Sequence, residues 1–337
     1  MKLNSLWTVA MAALLSTSAW ADATLLDKPE VQSFIDKKVN SKEYTRAELE
    51  SFFTQAVHKP SIIAAMDRPG TSRPWYEFKK NNLGPKKIQE GVRFWQRNSA
   101  LLTDIAKKYQ VAPETIVAIL GIETNYGTVM GSFRLADSLT TLAFNYPRRG
   151  EFFQQELDQF LTLAKEEGDD PFSFKGSYAG AMGMPQFMPS SYRQWAVDYD
   201  GDKHRDIWQN PGDTIASVAN YLKKHGWAEN QVMVVPVHLS ENPDIAAVAA
   251  MAEEKTALNH TVAEMKKIGI VPDYPVKDSV KAMLFNLEVA PGVFEYYIGL
   301  NNFYTVWHYN HSRLYVKAVQ ELADLIKAGY LAQSSVG

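Results

Sequence analysis

A chain of 337 residues without a single cysteine has to hold its shape by packing alone. Disulfides, thiolate zinc sites, iron–sulfur clusters and a cysteine nucleophile are all excluded together. The length suffices to bury the core this requires, as two compact domains or as one core with sizeable insertions. Hydrophobic residues make up 46% and charged residues 22%, a globular composition rather than a disordered one. Lys+Arg total 35 against Asp+Glu 38, so the net charge is -3 and the basic footprint of a general nucleic-acid binder is missing. The 16 Tyr, 16 Phe and 8 Trp are numerous enough to serve both a core and a ligand groove.

The first 21 residues read as a targeting segment. Lys2 gives a charged start, Leu6 to Leu15 is mostly apolar, and Ala19-Trp20-Ala21 forms a small-x-small cleavage signal before Asp22. The apolar run is too short to span a bilayer, and no later window reaches about 18 uninterrupted apolar residues. The expectation is an exported protein cleaved after Ala21. With no cysteine behind that site, no lipid anchor on an N-terminal Cys is expected.

Residues 22–110 read as helical. Lys28-Pro29 and Thr45-Arg46-Ala47-Glu48 open amphipathic stretches, Pro74-Trp75-Tyr76 lies in a polar loop, and one longer helix is expected over about 85–109. Residues 111–230 are the densest part, with a helix from Pro113 stopped by Gly127, a second over about 150–166 and a third over 213–225. Residues 231–298 change character. Gln231 to Val237 and Ala282 to Leu287 are strand-like around a helix near 261–268, which reads as a small mixed β insertion. Residues 299–337 return to helix. The fold class is therefore mainly α with a small β part.

One residue breaks the hydrophobic pattern. In Ile116-Val117-Ala118-Ile119-Leu120-Gly121-Ile122-Glu123, the residues Ile116, Ile119, Leu120 and Glu123 fall at i, i+3, i+4 and i+7, a single stripe ending in a carboxylate. Burial raises a carboxyl pKa because water no longer solvates the anion, and that suits a general acid near neutral pH. Glu114 cannot pair with it, since nine residues of helix turn about 900° and place it on the opposite face. On the residues alone, a catalytic acid and a structurally paired one are equally good readings.

Two further segments carry chemistry. In Gly176 to Ser190, glycines allow close backbone approach to a ligand and Gln186 offers hydrogen bonds amid Met and Phe; tight packing of a helix-turn element accounts for the same composition. In Asp198-Tyr199-Asp200-Gly201-Asp202-Lys203-His204-Arg205-Asp206, side chains alternate as at the start of an EF-hand-like calcium loop. Gly falls at position 4 rather than 6 and Gln209 stands at position 12, with Asp213 placed to close the shell and His204 to lend its backbone carbonyl. A surface Asp/Gly turn is the plainer alternative, yet three alternating aspartates would repel one another without a cation. Zinc-protease spacing, a Gly-x-Ser-x-Gly elbow and a phosphate loop are absent.

Ile122-Glu123-Thr124, Phe144-Asn145-Tyr146-Pro147-Arg148-Arg149, Gly180-Ala181-Met182-Gly183 with Gln186 to Tyr192, and Tyr309-Asn310-His311-Ser312 together resemble lytic murein transglycosylase B, in order and over essentially the whole mature chain. The resemblance implies a lysozyme-like helical core, an outer helical domain and a small β domain. It implies that Glu123 is the catalytic acid, with Ser177, Met182, Gln186, Phe187, Tyr221, Tyr309, Asn310 and Tyr315 lining the glycan groove, Tyr76 a further candidate, and Arg148 and Arg149 on its peptide-side rim. It also carries a structural calcium loop at Asp198, Asp200, Asp202, His204 and Asp213, and no catalytic cofactor. Membrane-bound members bear a lipidated Cys, so the chain resembles the soluble form.

The implied reaction is cleavage of the β-1,4 bond between N-acetylmuramic acid and N-acetylglucosamine in peptidoglycan, leaving 1,6-anhydro ends in the periplasm. The expected partners are glycan strands, with cell-wall synthesis enzymes a further candidate and nucleic acid excluded; a monomer is expected. A hydrolytic muramidase of the same fold and a non-catalytic peptidoglycan-binding scaffold remain as alternatives.

Overall fold

The structure is a computed structural model and describes residues 25–68 and 73–334; the expected leader at 1–21 lies outside the described residues. Two compact units divide between Ala56 and Val57. In the first, α1 (Pro29–Asn40) begins at a proline suited to a first helical turn, and α2 (Arg46–Gln55) opens with a reciprocal capping box between Thr45 and Glu48. Phe34 meets Phe53 edge to face at 6.0 Å.

The second unit begins with α3 (Pro60–Met66) and α4 (Trp75–Asn82). The polar loop expected at Pro74-Trp75-Tyr76 is thus the start of a helix, for which Pro74 is the N-cap and Trp75 a buried anchor. The single helix expected over 85–109 is two, α5 (Pro85–Arg97) and α6 (Ser99–Tyr109). Asn98 separates them: its side-chain amide donates to the carbonyl of Phe94 at 2.9 Å, a local bond that competes with the helix ladder.

Next comes α7 (Pro113–Thr124), which carries Glu123. Thr115 to Gly121 are buried without interruption, so this is a central helix rather than the one-striped helix expected. It packs against α5, α6 and two later helices, α11 (Pro211–Lys224) and α15 (Arg313–Ser334). Between them run the short strand β1 (Phe133–Arg134), α8 (Leu135–Asn145), α9 (Gly150–Glu167), β2 (Lys175–Gly176), antiparallel to β1, and α10 (Pro189–Trp195).

After α11 the chain builds an antiparallel sheet in the order β4-β6-β7-β3-β5, from β3 (Val234–Leu239), β4 (His260–Thr261), β5 (Ile270–Pro272), β6 (Lys281–Ala290) and β7 (Val293–Gly299). Helices α12 (Ile245–Ala252) and α13 (Val262–Lys267) cover one face, where Val248, Val262 and Met265 join Ala282, Leu284 and Ile298 in one apolar cluster. The unbroken run Ala282 to Phe285 follows from burial on both faces, because Phe285 packs on Phe303 of α14 (Asn301–Tyr309) at 5.0 Å. The architecture is mainly helical with a small sheet, as the sequence led one to expect.

Candidate active site

Glu123 is the penultimate residue of α7, and the manner in which that helix ends sets where it stands. Asn125 and Tyr126 adopt left-handed φ of 50° and 59°, and the Tyr126 amide closes back on the Leu120 carbonyl at 3.1 Å. The helix therefore stops three residues before Gly127, the stop expected from sequence, because an asparagine tolerates the left-handed turn that ends it. Gly121 must lack a side chain: a Cβ there would lie 2.6 Å from the Tyr126 hydroxyl, which donates to the Lys87 carbonyl at 2.8 Å.

The Tyr315 hydroxyl donates to Glu123 Oε1 at 2.6 Å. Burial drives the Glu123 carboxyl up from 4.5 to about 7; the Tyr315 hydrogen bond and then the charge of Lys87 pull it part of the way back. The negative end of the α7 dipole acts with burial. Lys87, lowered by its own burial, is the group that sequence reading missed: it lies 36 residues away on α5, and nothing in its local sequence marks it. The groups that favour the Glu123 anion are Tyr315 and Lys87, neither of them a carboxylate.

The glycine-rich segment forms one wall. Met182 and Phe187 pair through 2.8 and 3.0 Å backbone bonds, closing a hairpin whose turn includes Gly183 at φ 64° and Gln186 at φ 53°. A Cβ on Gly183 would meet the Ile207 carbonyl at 2.7 Å, so only glycine fits. Thr124, beside the acid, donates to the Met184 carbonyl at 2.9 Å and ties this hairpin to α7. Gln186 donates to the carbonyls of Gly183 (2.8 Å) and Met130 (3.2 Å), and Ser177 Oγ accepts from the Ala181 amide at 3.0 Å. Met182 and Phe187 have buried side chains beneath this wall.

An aromatic wall stands beside it. Tyr309 lies 6.4 Å from Tyr315 with parallel rings, 4.8 Å from Tyr221 and 5.9 Å from Phe187. The Tyr309 hydroxyl donates to the Pro185 carbonyl, and Tyr221 to that of His308 at 2.8 Å. Burial holds the Tyr309 and Tyr315 hydroxyls neutral, with the Glu123 charge adding to the effect, and Tyr221 is pushed up to about 12. Four sequence candidates are thus linked to Glu123, Tyr315 directly and Tyr309, Tyr221 and Phe187 through ring contacts, while Gln186 turns its amide to the Gly183 and Met130 carbonyls. Asn310 follows α14 as its exposed C-cap. Arg148 and Arg149 sit on the turn before α9, where Arg148 pairs with Asp67 at 2.7 Å and Arg149 lies over Phe152 at 4.3 Å. Tyr76 is on α4.

In the acidic loop, carboxylate oxygens of Asp198, Asp200 and Asp202 lie within 4.8 Å of one another. The loop is shaped for that: Asp198 accepts from the Gly201 and Lys203 amides and Asp202 from that of His204. Asp213 is not brought into this cluster. Fully buried, it accepts from the amides of Tyr199 and Asp206, both at 2.8 Å, and braces the two ends of the loop. The His204 imidazole points toward Glu167 at 3.8 Å.

In sequence and fold the chain is similar to known lytic transglycosylases. The transglycosylase SLT domain model matches residues 27–324. A curated relative, the membrane-bound lytic murein transglycosylase B of Escherichia coli K12, is 39% identical over 310 residues, covering 89% of this chain and 83% of its own. Among solved structures, the soluble lytic transglycosylase SltB1 of Pseudomonas aeruginosa superposes with a TM-score of 0.83 at 36% identity, over 89% of this chain and 99% of that one. The lytic transglycosylase Slt35 of Escherichia coli, solved in complex with calcium, gives 0.80 at 39% identity over 90% and 95%, and has also been solved with bulgecin A.

Proposed function

Because the chain belongs to the transglycosylase SLT family and is a lytic transglycosylase acting on peptidoglycan, we propose that Glu123 is its single acid and base. Held near 7, the carboxyl keeps a substantial protonated fraction near neutral pH, and that form donates to the glycosidic oxygen between N-acetylmuramic acid and N-acetylglucosamine. The C1–O bond breaks, and the carboxylate left behind is stabilised by the Tyr315 hydroxyl and by Lys87. That carboxylate then takes the proton from the muramic acid 6-hydroxyl as its oxygen attacks C1 and closes the 1,6-anhydro ring. The observation that carries this reading is the raised carboxyl of Glu123, whose anion is favoured by a tyrosine hydroxyl and a lysine ammonium rather than faced by a second carboxylate: two-carboxylate glycosidases need a nucleophile or a water-activating base as well. Ser177, Met182, Gln186, Phe187, Tyr221, Tyr309, Asn310 and Tyr315 form the glycan groove in this proposal, with Arg148 and Arg149 meeting the stem peptide.

Mass spectrometry of the soluble products from purified peptidoglycan tests it. Muropeptides one water lighter than hydrolysis products are expected; ordinary reducing ends would transfer the enzyme to the muramidase class. Glu123→Gln should stop release while leaving strand binding intact.

The acidic loop fits a structural calcium ion. Three hard carboxylates crowded within 4.8 Å repel unless a cation neutralises them, and a relative has been solved with calcium. Asp198, Asp200 and Asp202 would hold it with the His204 carbonyl, while Asp213 keeps the loop closed. Peptidoglycan lies outside the cytoplasmic membrane, and within that space we assign the enzyme to the periplasm after cleavage behind Ala21. The same proposal divides the mature chain at 110, 230 and 298, a division that the separate apolar cluster beneath the sheet supports for 231–298.

A further inference from the structure

Helix α14 carries an outer face that its fold does not require. Tyr304, Trp307 and His308 fall at i, i+3 and i+4, the spacing that gathers side chains on one side of a helix, and His311 follows in the bend just beyond the C-cap Asn310. Asn302, Phe303, Thr305 and Val306 fill the buried side. The solvent side of such a helix ordinarily bears charged or short polar residues. Here it bears three half-buried rings, and the exposed ring of His311 lies against Trp307 just past the helix end.

These rings are continuous with the wall of the active site. Tyr221, which stands 4.8 Å from Tyr309, stacks on His225 at 3.9 Å with an 18° interplanar angle. His225 approaches His308 at 5.6 Å, His308 approaches Tyr304 at 4.6 Å, and Trp307 lies 4.2 Å from His311. The ring contacts from Tyr309 to the outside of α14 thus pass through buried Tyr221 and half-buried His225.

Resting on the transglycosylase reading, we propose that this strip is an extended subsite that holds the glycan strand of polymeric peptidoglycan beyond the residues around Glu123. Each ring offers a flat apolar face with a polar tip, which matches a sugar's C–H face flanked by hydroxyl and acetamido groups better than it matches a wholly apolar partner. A nucleic acid would also stack, but the net charge of -3 provides no counterion-releasing footprint for it. In this proposal the strand leaves the cleft past half-buried His225 and runs along α14. The enzyme gains affinity with strand length and favours polymer over short fragments.

The test compares cleavage of long glycan strands with cleavage of a tetrasaccharide. In a Tyr304→Ala/Trp307→Ala variant, the ratio of kcat/KM on long strands to that on the tetrasaccharide should fall about tenfold, equivalent to roughly 1.4 kcal/mol of lost ring contact. An unchanged ratio overturns the proposal and leaves the transglycosylase reading intact. If both rates fall together, the double variant has disturbed the groove or the fold, and His311→Ala decides instead: this exposed residue should still lower the ratio measurably, and an unaltered ratio again overturns the strip. Retention on insoluble peptidoglycan in a Glu123→Gln background needs no turnover. Loss of retention on adding Tyr304→Ala/Trp307→Ala supports the strip even if cleavage products contradict the transglycosylase chemistry, and equal retention rejects it.

Discussion

Glu123 is costly to keep. An ordinary glutamate ionises near 4.5, whereas the folded protein holds this one at about 7, so folding penalises the anion. The penalty is absent below about pH 4.5, grows through the interval to 7 and is complete above it. Glu123→Gln should therefore raise the unfolding free energy by about 1–3 kcal/mol at pH 8 and by little at pH 4, measured by denaturant melts at both pH values. Activity should move oppositely, falling by roughly 100-fold or more with the loss of the proton donor. Tyr315→Phe removes a hydrogen bond that favours the carboxylate, so the alkaline limb of the kcat/KM profile should shift to higher pH. A limb that stays in place would show that another group limits the rate.

At the scale of elements, the site depends on how three of them meet. The end of α7 presents the acid, the 182–187 hairpin is tied to it through Thr124, and α15 delivers Tyr315. Gly121 marks how closely these parts pack. Alanine is the better helix former by about 1 kcal/mol, yet its methyl would press on the buried Tyr126 ring, which also closes the helix end. Gly121→Ala is expected to destabilise the protein by about 1–3 kcal/mol and to reduce kcat more than it alters KM, since the acid moves with Tyr126. Thermal melting and steady-state kinetics on one preparation distinguish this from a silent change.

For the molecule as a whole, the acidic loop links α10 to α11, and α11 packs directly on α7. A cation bound there stabilises the folded state by mass action. Calcium in excess should raise Tm by several degrees, chelation should reverse it, and Asp200→Ala should abolish the difference while leaving the calcium-free Tm nearly unchanged. A calcium-independent Tm in the wild type would assign the loop to backbone capping alone, which its amide contacts to Asp198 and Asp202 already provide.

The sequence by itself determined the helical class, the sheet-forming stretch near 282–287, the odd carboxylate at 123 and the alternating aspartates, because each is a local pattern of polarity or spacing. It misjudged the ends and breaks of elements. Asn98 splits a helix and Asn125 ends another through short-range side-chain and left-handed geometry that periodicity does not register. Tertiary structure alone decided what Glu123 is. Its environment is made by Tyr315, 192 residues away, by Lys87 and by a hairpin hung on Thr124, and a pKa is set by distances through space. The aromatic face of α14 lies between the two cases. Its spacing is written in the chain, but only folding joins Tyr304 and Trp307 to Tyr221, and so to the cleft.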